Sequence, residues 1–173
     1  MKNKYSQLFL ISNILIILDQ VTKFWITLHI PRHYSISVVE GFFNLTHIRN
    51  PGVAFGLFAS HESEYKVLFF VVTSLIAIIA ILIIFHQSPE NKKAARIGLI
   101  LIFSGAVGNL IDRIVFKEVI DFLDFFYNGF HWPAFNIADS CITIGVSFMM
   151  YDLFFGYPEK TNISNPPNKS EQL

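Results

Sequence analysis

Two aspartates, Asp121 and Asp139, lie on either side of a short loop in a chain that is otherwise rich in apolar residues. Asp121 follows the third long apolar run, and Asp139 stands near the start of the fourth. A low dielectric disfavours the charged form of a carboxyl group, and two such groups held close together repel each other. The pKa values of the two groups then differ, so that one can act as a general acid while the other acts as a general base. The two residues are therefore candidates for catalysis or for proton handling.

The composition is that of a membrane protein. Of the 173 residues, 53% are hydrophobic and 16% are aromatic, and the mean hydropathy is +0.48. Only 15% are charged, whereas soluble domains carry about 25%. The formal net charge at pH 7 is zero, so nothing indicates nucleic acid as a partner. The single cysteine, Cys141, excludes an internal disulfide.

Four apolar segments are long enough to cross a bilayer as helices, which takes about 20 residues. The predicted spans cover residues 5–28, 67–85, 97–116 and 137–155. Basic residues precede the first span and lie between the second and third, at Lys2, Lys4, Lys92, Lys93 and Arg96. Because positive residues stay on the cytoplasmic side, both termini are expected there, with loops 31–64 and 117–136 outside.

The first outer loop has a pattern of its own. Segments 33–39 and 42–48 alternate with period two around Glu40 and Gly41, which predicts two short strands. The apolar stretch 53–58 is expected to dip toward lipid as an interfacial loop or helix. Loop 117–136 is rich in aromatic rings, which are typical of the membrane interface.

These features predict a mostly α membrane protein with four transmembrane helices and a small extracytoplasmic β-sheet. Residues 1–157 are expected to form a single membrane-embedded domain. The segment 158–173 is rich in Asn, Pro, Ser and Lys, and this composition is typical of a disordered tail, here on the cytoplasmic side.

Several further polar residues are placed in the outer part of the membrane and share helix faces. They are Asp19 and Lys23 on the first helix, Asn109, Asp112 and Arg113 on the third, and Asn136 at the start of the fourth. Helical neighbours three or four residues apart face the same side. Unpaired charge in hydrocarbon costs several kcal/mol, so we expect one convergent polar cluster that includes the two aspartates.

Other interpretations remain open for this cluster. Asp19 with Lys23, and Asp112 with Arg113, could be structural ion pairs that neutralise each other, and this is as consistent with the pattern as a functional role. A small proton-coupled transporter would also use intramembrane carboxylates. Such a relay needs polar residues through the whole membrane, whereas the inner halves of these helices are almost purely apolar.

Other nucleophiles fit the sequence less well. A Ser–Lys dyad of Lys23 with Ser104 or Ser140 is formally possible, but it leaves the paired aspartates unexplained. The six histidines form no His-Glu-x-x-His pattern, so a metalloprotease is not indicated. A lone Cys such as Cys141 among apolar residues is usually a packing residue.

Five motifs, in this order along the chain, resemble those of bacterial lipoprotein signal peptidase, the type II signal peptidase. They are Asp19-Gln20-Val21-Thr22-Lys23, Asn50-Pro51-Gly52-Val53-Ala54-Phe55-Gly56, Gly105-Ala106-Val107-Gly108-Asn109-Leu110-Ile111-Asp112-Arg113, Val119-Ile120-Asp121-Phe122 and Phe135-Asn136-Ile137-Ala138-Asp139. The resemblance runs from about residue 15 to 145 and includes all four predicted spans.

The resemblance implies an aspartic endopeptidase of the bacterial cytoplasmic (inner) membrane, with its active site near the outer leaflet. It implies prolipoprotein substrates whose future N-terminal Cys carries diacylglycerol, cleaved just before that Cys among membrane lipids. It also implies inhibition by the cyclic peptide globomycin, and no metal or other cofactor. The family's catalytic dyad matches Asp121 and Asp139. The residues that match those lining or supporting the site are Asp19, Lys23, Asn50, Gly52, Asn109, Arg113 and Asn136.

Overall fold

The computed structural model describes residues 3–52, 64–89 and 91–155, and these form four helices and four strands. The elements in chain order are α1 (Lys4–His29), β1 (Ser35–Val39), β2 (Phe43–Asn50), α2 (Glu64–Gln87), α3 (Lys93–Phe116), β3 (Val119–Tyr127), β4 (Phe130–His131) and α4 (Ile137–Phe155). All four helices are long and apolar enough to cross a membrane. The predicted fold class, mostly helical with a small sheet, is confirmed.

Helix α3 lies at the centre of the bundle and contacts the other three helices. Small residues let it approach α4 backbone to backbone. A Cβ atom on Gly98 would lie 2.6 Å from the carbonyl oxygen of Gly145, and one on Gly105 would collide with the carbonyl oxygen of Ala138. Such small-residue contacts are the usual way for membrane helices to pack closely, because lipid supplies no hydrophobic force between them.

The strands form one antiparallel sheet in the order β1-β2-β3-β4. The hairpin β1–β2 corresponds to the two strands predicted in the first outer loop. The prediction of an irregular aromatic loop at 117–136 is wrong in part, because Val119–Tyr127 is strand β3 and pairs with β2. That segment is rich in β-branched and aromatic residues, which favour strands, but its partner lies far away in the sequence.

The sheet sits on the ends of α1 and α3. Ile26 of α1 and Ile30, which directly follows this helix, pack against Ile120 and Phe122 of β3, and all four are buried. Helix α3 ends at Phe116, the next residue is left-handed, and β3 begins two residues later. Asp121, which the sequence predicted to lie in the outer loop 117–136, is therefore on a strand.

Two sequence predictions concern other parts of the chain. The interfacial segment 53–58 and the cytoplasmic tail 158–173 both lie outside the described residues.

Replacement of Gly105 by alanine tests the close packing of α3 on α4. The added methyl group meets the backbone of Ala138, the residue before Asp139, so α4 has to shift. We expect a loss of about 1–3 kcal/mol, typical of overpacking, measured as a lower unfolding temperature in detergent. Val115→Leu is the control, because Val115 is 61% exposed on the same helix and tolerates the change. A Gly105→Ala variant as stable as the unmodified protein would contradict the packing.

Candidate active site

Asn136 connects the two candidate catalytic aspartates. Its side-chain amide donates to Oδ1 of Asp121 at 2.8 Å, and its backbone N–H donates to Oδ2 of Asp139 at 3.3 Å. In return, the backbone N–H of Asp139 donates to Oδ1 of Asn136 at 2.9 Å, as expected for a residue that caps a helix start. Asp121 from β3 and Asp139 from the first turn of α4 thus meet around one capping residue.

Each carboxylate also accepts a hydrogen bond from a second asparagine. Nδ2 of Asn50 donates to Oδ2 of Asp121 at 3.0 Å, and Nδ2 of Asn109 donates to Oδ1 of Asp139 at 2.7 Å. Gly52 fixes the first of these amides, because its N–H donates to Oδ1 of Asn50 at 2.9 Å. Gly52 has φ +85°, a conformation that favours glycine. Amide groups orient both acids without adding charge.

The environment of Asp121 favours its protonated form. Burial, together with the neighbouring charge of Asp139, raises the pKa of its carboxyl from 3.8 to about 6. The hydrogen bonds from Asn50 and Asn136 and the positive charge of Lys23 act in the opposite direction. Asp121 can therefore hold a proton close to neutral pH, as a general acid requires.

Lys23 lies between two buried carboxylates beneath the dyad. Its Nζ is 2.8 Å from Oδ2 of Asp19 and 2.9 Å from Oδ2 of Asp112, and it donates to Oδ1 of Asn109 at 3.1 Å. Lys23 and Asp19 are 1% exposed, and Asp112 is fully buried. We call Asp19, Lys23 and Asp112 the charged triad. The pairing of Asp19 with Lys23 occurs as the sequence indicated.

The suggested pair of Asp112 with Arg113 is wrong, because Asp112 pairs with Lys23 instead. Adjacent residues on a helix point in different directions, so neither can easily neutralise the other. Arg113 donates from Nη1 to the carbonyl of Asn109 at 3.3 Å, and its guanidinium lies 5.7 Å from the ring centre of Phe70 on α2. Both dyad carboxylates attract Arg113 electrostatically, which places a positive group beside them.

The charged triad also holds the backbone next to each dyad residue. Oδ1 of Asp19 accepts the N–H of Ala138 at 2.9 Å, and Oδ2 of Asp112 accepts the N–H of Ile120 at 3.1 Å. Ala138 and Ile120 directly precede Asp139 and Asp121. Helices α1 and α3, which contain Asp19 and Asp112 but no dyad residue, therefore hold in place both segments that contain one.

Gln20 takes part in this network, although its neutral side chain does not stand out in the charge pattern of the sequence. Its Nε2 donates to Oδ2 of Asp19 at 3.1 Å, to Oδ1 of Asp112 at 3.0 Å and to the carbonyl of Gly108 at 3.2 Å. Its place between Asp19 and Lys23 in the first motif was the available signal. Because Gln20 is neutral and directly follows Asp19, a search for charged residues does not find it.

Comparisons with known proteins identify the family. Residues 11–155 match the model of the peptidase A8 family, described as signal peptidase (SPase) II. The chain belongs to the signal peptidase II family. Among similar members, the lipoprotein signal peptidase of Desulforapulum autotrophicum is 49% identical over 149 residues, covering 86% of this chain and 92% of its own length. That of Syntrophus aciditrophicus is 46% identical over 155 residues, covering 89% and 96%.

The fold is also that of a solved family of structures. A bacterial membrane enzyme determined at 2.3 Å resolution superposes with a TM-score of 0.77 at 34% identity, covering 95% of both chains. A second, at 1.9 Å, gives a TM-score of 0.76 at 35% identity, covering 88% of this chain and 95% of that one. Family membership and four membrane-spanning helices make this signal peptidase II homologue a multi-pass bacterial membrane protease.

Replacement of Lys23 by methionine tests the charged triad. The change leaves Asp19 and Asp112 buried without their shared cation, and removal of one partner from a buried ion pair costs about 3–5 kcal/mol. We expect an equivalent loss of stability in detergent, seen as a much lower unfolding temperature.

The neutral triple variant Asp19→Asn, Lys23→Met, Asp112→Asn is the matched control. Neutral replacements of a whole buried ion group are often tolerated, and both asparagines keep an oxygen for the Ala138 and Ile120 N–H groups. The triple variant should therefore recover most of the lost stability. If it were no more stable than the single variant, charge balance would not be what Lys23 supplies.

Proposed function

We propose that this chain removes signal peptides from diacylglyceryl-modified prolipoproteins by cleaving the peptide bond before the lipidated cysteine. Asp121 and Asp139 form an aspartic dyad, and water is the nucleophile. The observation that carries the proposal is the capping residue Asn136, which contacts both carboxyl groups and holds them at one place. The names of the family members above, lipoprotein signal peptidases, support the substrate class.

The two acids take different parts in the proposed reaction. Asp121 keeps the shared proton, because burial and the charge of Asp139 raise its pKa. Asp139 takes the part of the base, and the N–H donors of Asn109 and Asn136 orient its carboxyl group. It removes a proton from water as the water oxygen bonds to the scissile carbonyl carbon, while Asp121 protonates the carbonyl oxygen.

The second half of the reaction restores the starting state. The tetrahedral intermediate collapses when its C–N bond breaks and the proton on Asp139 passes to the leaving nitrogen, which becomes the new N-terminus of the lipoprotein. Asp121 takes back its proton from the hydroxyl group of the intermediate as the carboxyl product forms. Each proton is therefore returned, and the dyad is ready for another turnover.

The substrate's membrane segment and acyl chains are proposed to bind between α2 and α4. Both helices contact α3, and in the parts of the chain that the structure describes they make no close contact with each other. Both helices are apolar, and Arg113 of α3, which the dyad carboxylates attract, lies 5.7 Å from the ring centre of Phe70 on α2. The cleft between α2 and α4 is also the proposed site for globomycin-type inhibitors and for membrane lipid when no substrate is present.

The orientation proposed for the protein follows from its charges. The dyad lies where α3 ends and α4 begins, whereas Lys92 and Lys93 lie at the opposite end of α3. Positive residues favour the cytoplasmic side, so we place both termini there and the dyad near the outer leaflet. Residues 1–157 are proposed to act as one catalytic domain, since helices and sheet each contribute to the same site.

Separate replacement of each dyad residue by asparagine tests the proposal. Because the charge and the transferable proton are lost, we expect kcat to fall by about 10²–10⁴-fold for Asp121→Asn and for Asp139→Asn. The measurement is release of signal peptide from a lipidated precursor by purified protein in detergent. Asp152→Asn serves as the control, since Asp152 lies on α4 but pairs with Lys92 at the far end.

Two results would count against this assignment. Undiminished cleavage by a properly folded dyad variant would remove that residue from the chemistry. Proton flux in vesicles without any cleavage would favour the transporter reading of the same carboxylates.

The pH dependence of kcat/KM reports on the proton that Asp121 carries in the free enzyme. If the active form has Asp121 protonated, that proton is lost as pH rises through about 6, and kcat/KM falls toward alkaline pH. Asn50 lowers the pKa of Asp121 by its hydrogen bond, so Asn50→Ala should move this fall to higher pH. Asn13→Ala, on the exposed surface of α1, should leave it in place. Activity that rises through pH 6 would instead make Asp121 the base.

A further inference from the structure

A cavity of about 450 Å³ opens on the sheet, away from the cleft between the helices. The side chains that give it its polar character are His33, Ser35, Thr46, Asp124, His131 and Trp132. Its volume lies in the range of ligand pockets, about 300–1,000 Å³. The strands that line it are outside the spanning helices, so the cavity faces the head-group region or water rather than hydrocarbon.

A buried carboxylate forms one wall of this cavity. Asp124 is 8% exposed, and its two oxygens accept from Nδ2 of Asn44 at 3.1 Å and contact Nδ1 of His131 at 2.8 Å. Asn44 is the cross-strand partner of Asp124 in the sheet, so the strand register fixes the position of the carboxylate. A carboxylate offers about four acceptor positions, and two protein contacts leave others for a donor in the cavity.

Two hydroxyl groups are fixed on the neighbouring strand pair. Ser35 donates to Oγ1 of Thr46 at 3.0 Å, and Thr46, which is 4% exposed, donates to the carbonyl of Tyr34. The cavity therefore presents oxygen acceptors in set positions, and the Asp124 carboxyl group among them has the imidazole of His131 as its neighbour at 2.8 Å. Its chemistry suits an occupant with N–H or hydroxyl donors and without acidic groups.

Two residues that line the cavity are neighbours of residues at the dyad. Ile48 lines the cavity and is the cross-strand partner of Asp121. On the other side, Ala134 lines it two residues before Asn136. A peptide held at the dyad and continuing along the sheet would enter this space within a few residues.

We propose that this cavity binds the mature side of the substrate, the few residues that follow the lipidated cysteine. The inference rests on the proposed function. The signal peptide occupies the helix side of the dyad, so the chain beyond the scissile bond has to leave over the sheet. There its backbone N–H groups and small polar side chains donate to Asp124 and to the two hydroxyl groups, and an acidic residue at the same place is repelled by Asp124.

Two matched lipidated precursors test this assignment. The short one ends as an amide at the lipidated cysteine, and the long one carries four further uncharged polar residues. We expect the unmodified enzyme to favour the long substrate about tenfold in kcat/KM, mainly through KM, as for one hydrogen bond to a charged group. In Asp124→Asn the long-to-short ratio should fall to about one. Ser37→Ala, exposed on β1 and outside the cavity, should keep the ratio of the unmodified enzyme.

A second measurement uses only the unmodified enzyme, so it does not depend on how the variant folds. A long substrate with Asp at the second mature position should lose several-fold in kcat/KM relative to one with Asn there. If the short substrate is cleaved but the ratio is one in the unmodified enzyme, or if acidic and neutral long substrates are cleaved equally, the cavity assignment is overturned and the proposed function stands. If neither substrate is cleaved, the proposed function fails, and this inference fails with it.

Discussion

The position of one ammonium group governs this structure. Lys23 lies within 3 Å of two buried carboxylates, at 2.8 Å from Asp19 and 2.9 Å from Asp112, in a region where unpaired charge is costly. Each of these carboxylates also accepts a backbone N–H directly before a dyad residue. Without the cation, the two acids would repel each other and the two dyad segments would lose their common support. The charge balance within the triad thus fixes the positions of the two segments that carry Asp121 and Asp139.

At the dyad itself, neutral amides supply the hydrogen bonds to the carboxyl groups. Asn50, Asn109 and Asn136 each donate to a dyad carboxylate, and Asn136 serves both. An amide fixes the direction of an acid while changing its proton affinity much less than a lysine or arginine would. This allows burial to keep the pKa of Asp121 near 6, even though its carboxyl accepts two hydrogen bonds. A carboxyl group that donates and regains a proton during a reaction needs both a fixed orientation and a pKa near the working pH.

The sequence predicts part of this arrangement and not the rest, for physical reasons. Helix faces follow from spacing, so the shared side of Asp19 with Lys23 and of Asn109 with Asp112 is readable from the chain. Strand β3 is not, because its stability comes from pairing with β2, which is distant in sequence. The ion-pair partner of a residue also depends on the tertiary fold, because Asp112 pairs with Lys23 on another helix and not with its sequence neighbour Arg113. The cavity beside Asp124 arises only when all four strands and segment 132–134 come together.

The placement of Asp19 and Lys23 on a single helix has a consequence for biogenesis. The two residues are four positions apart, and Nζ of Lys23 lies 2.8 Å from Oδ2 of Asp19. They can therefore enter the bilayer during synthesis as a self-neutralised pair. The second carboxylate, Asp112, arrives only with α3, and Asp139 only with the last helix. A partly inserted chain therefore tolerates its own charges yet holds a single dyad residue. Asp121 and Asp139 can meet only after the fourth helix has been inserted, so the last step of insertion is also the step that brings the two carboxyl groups together.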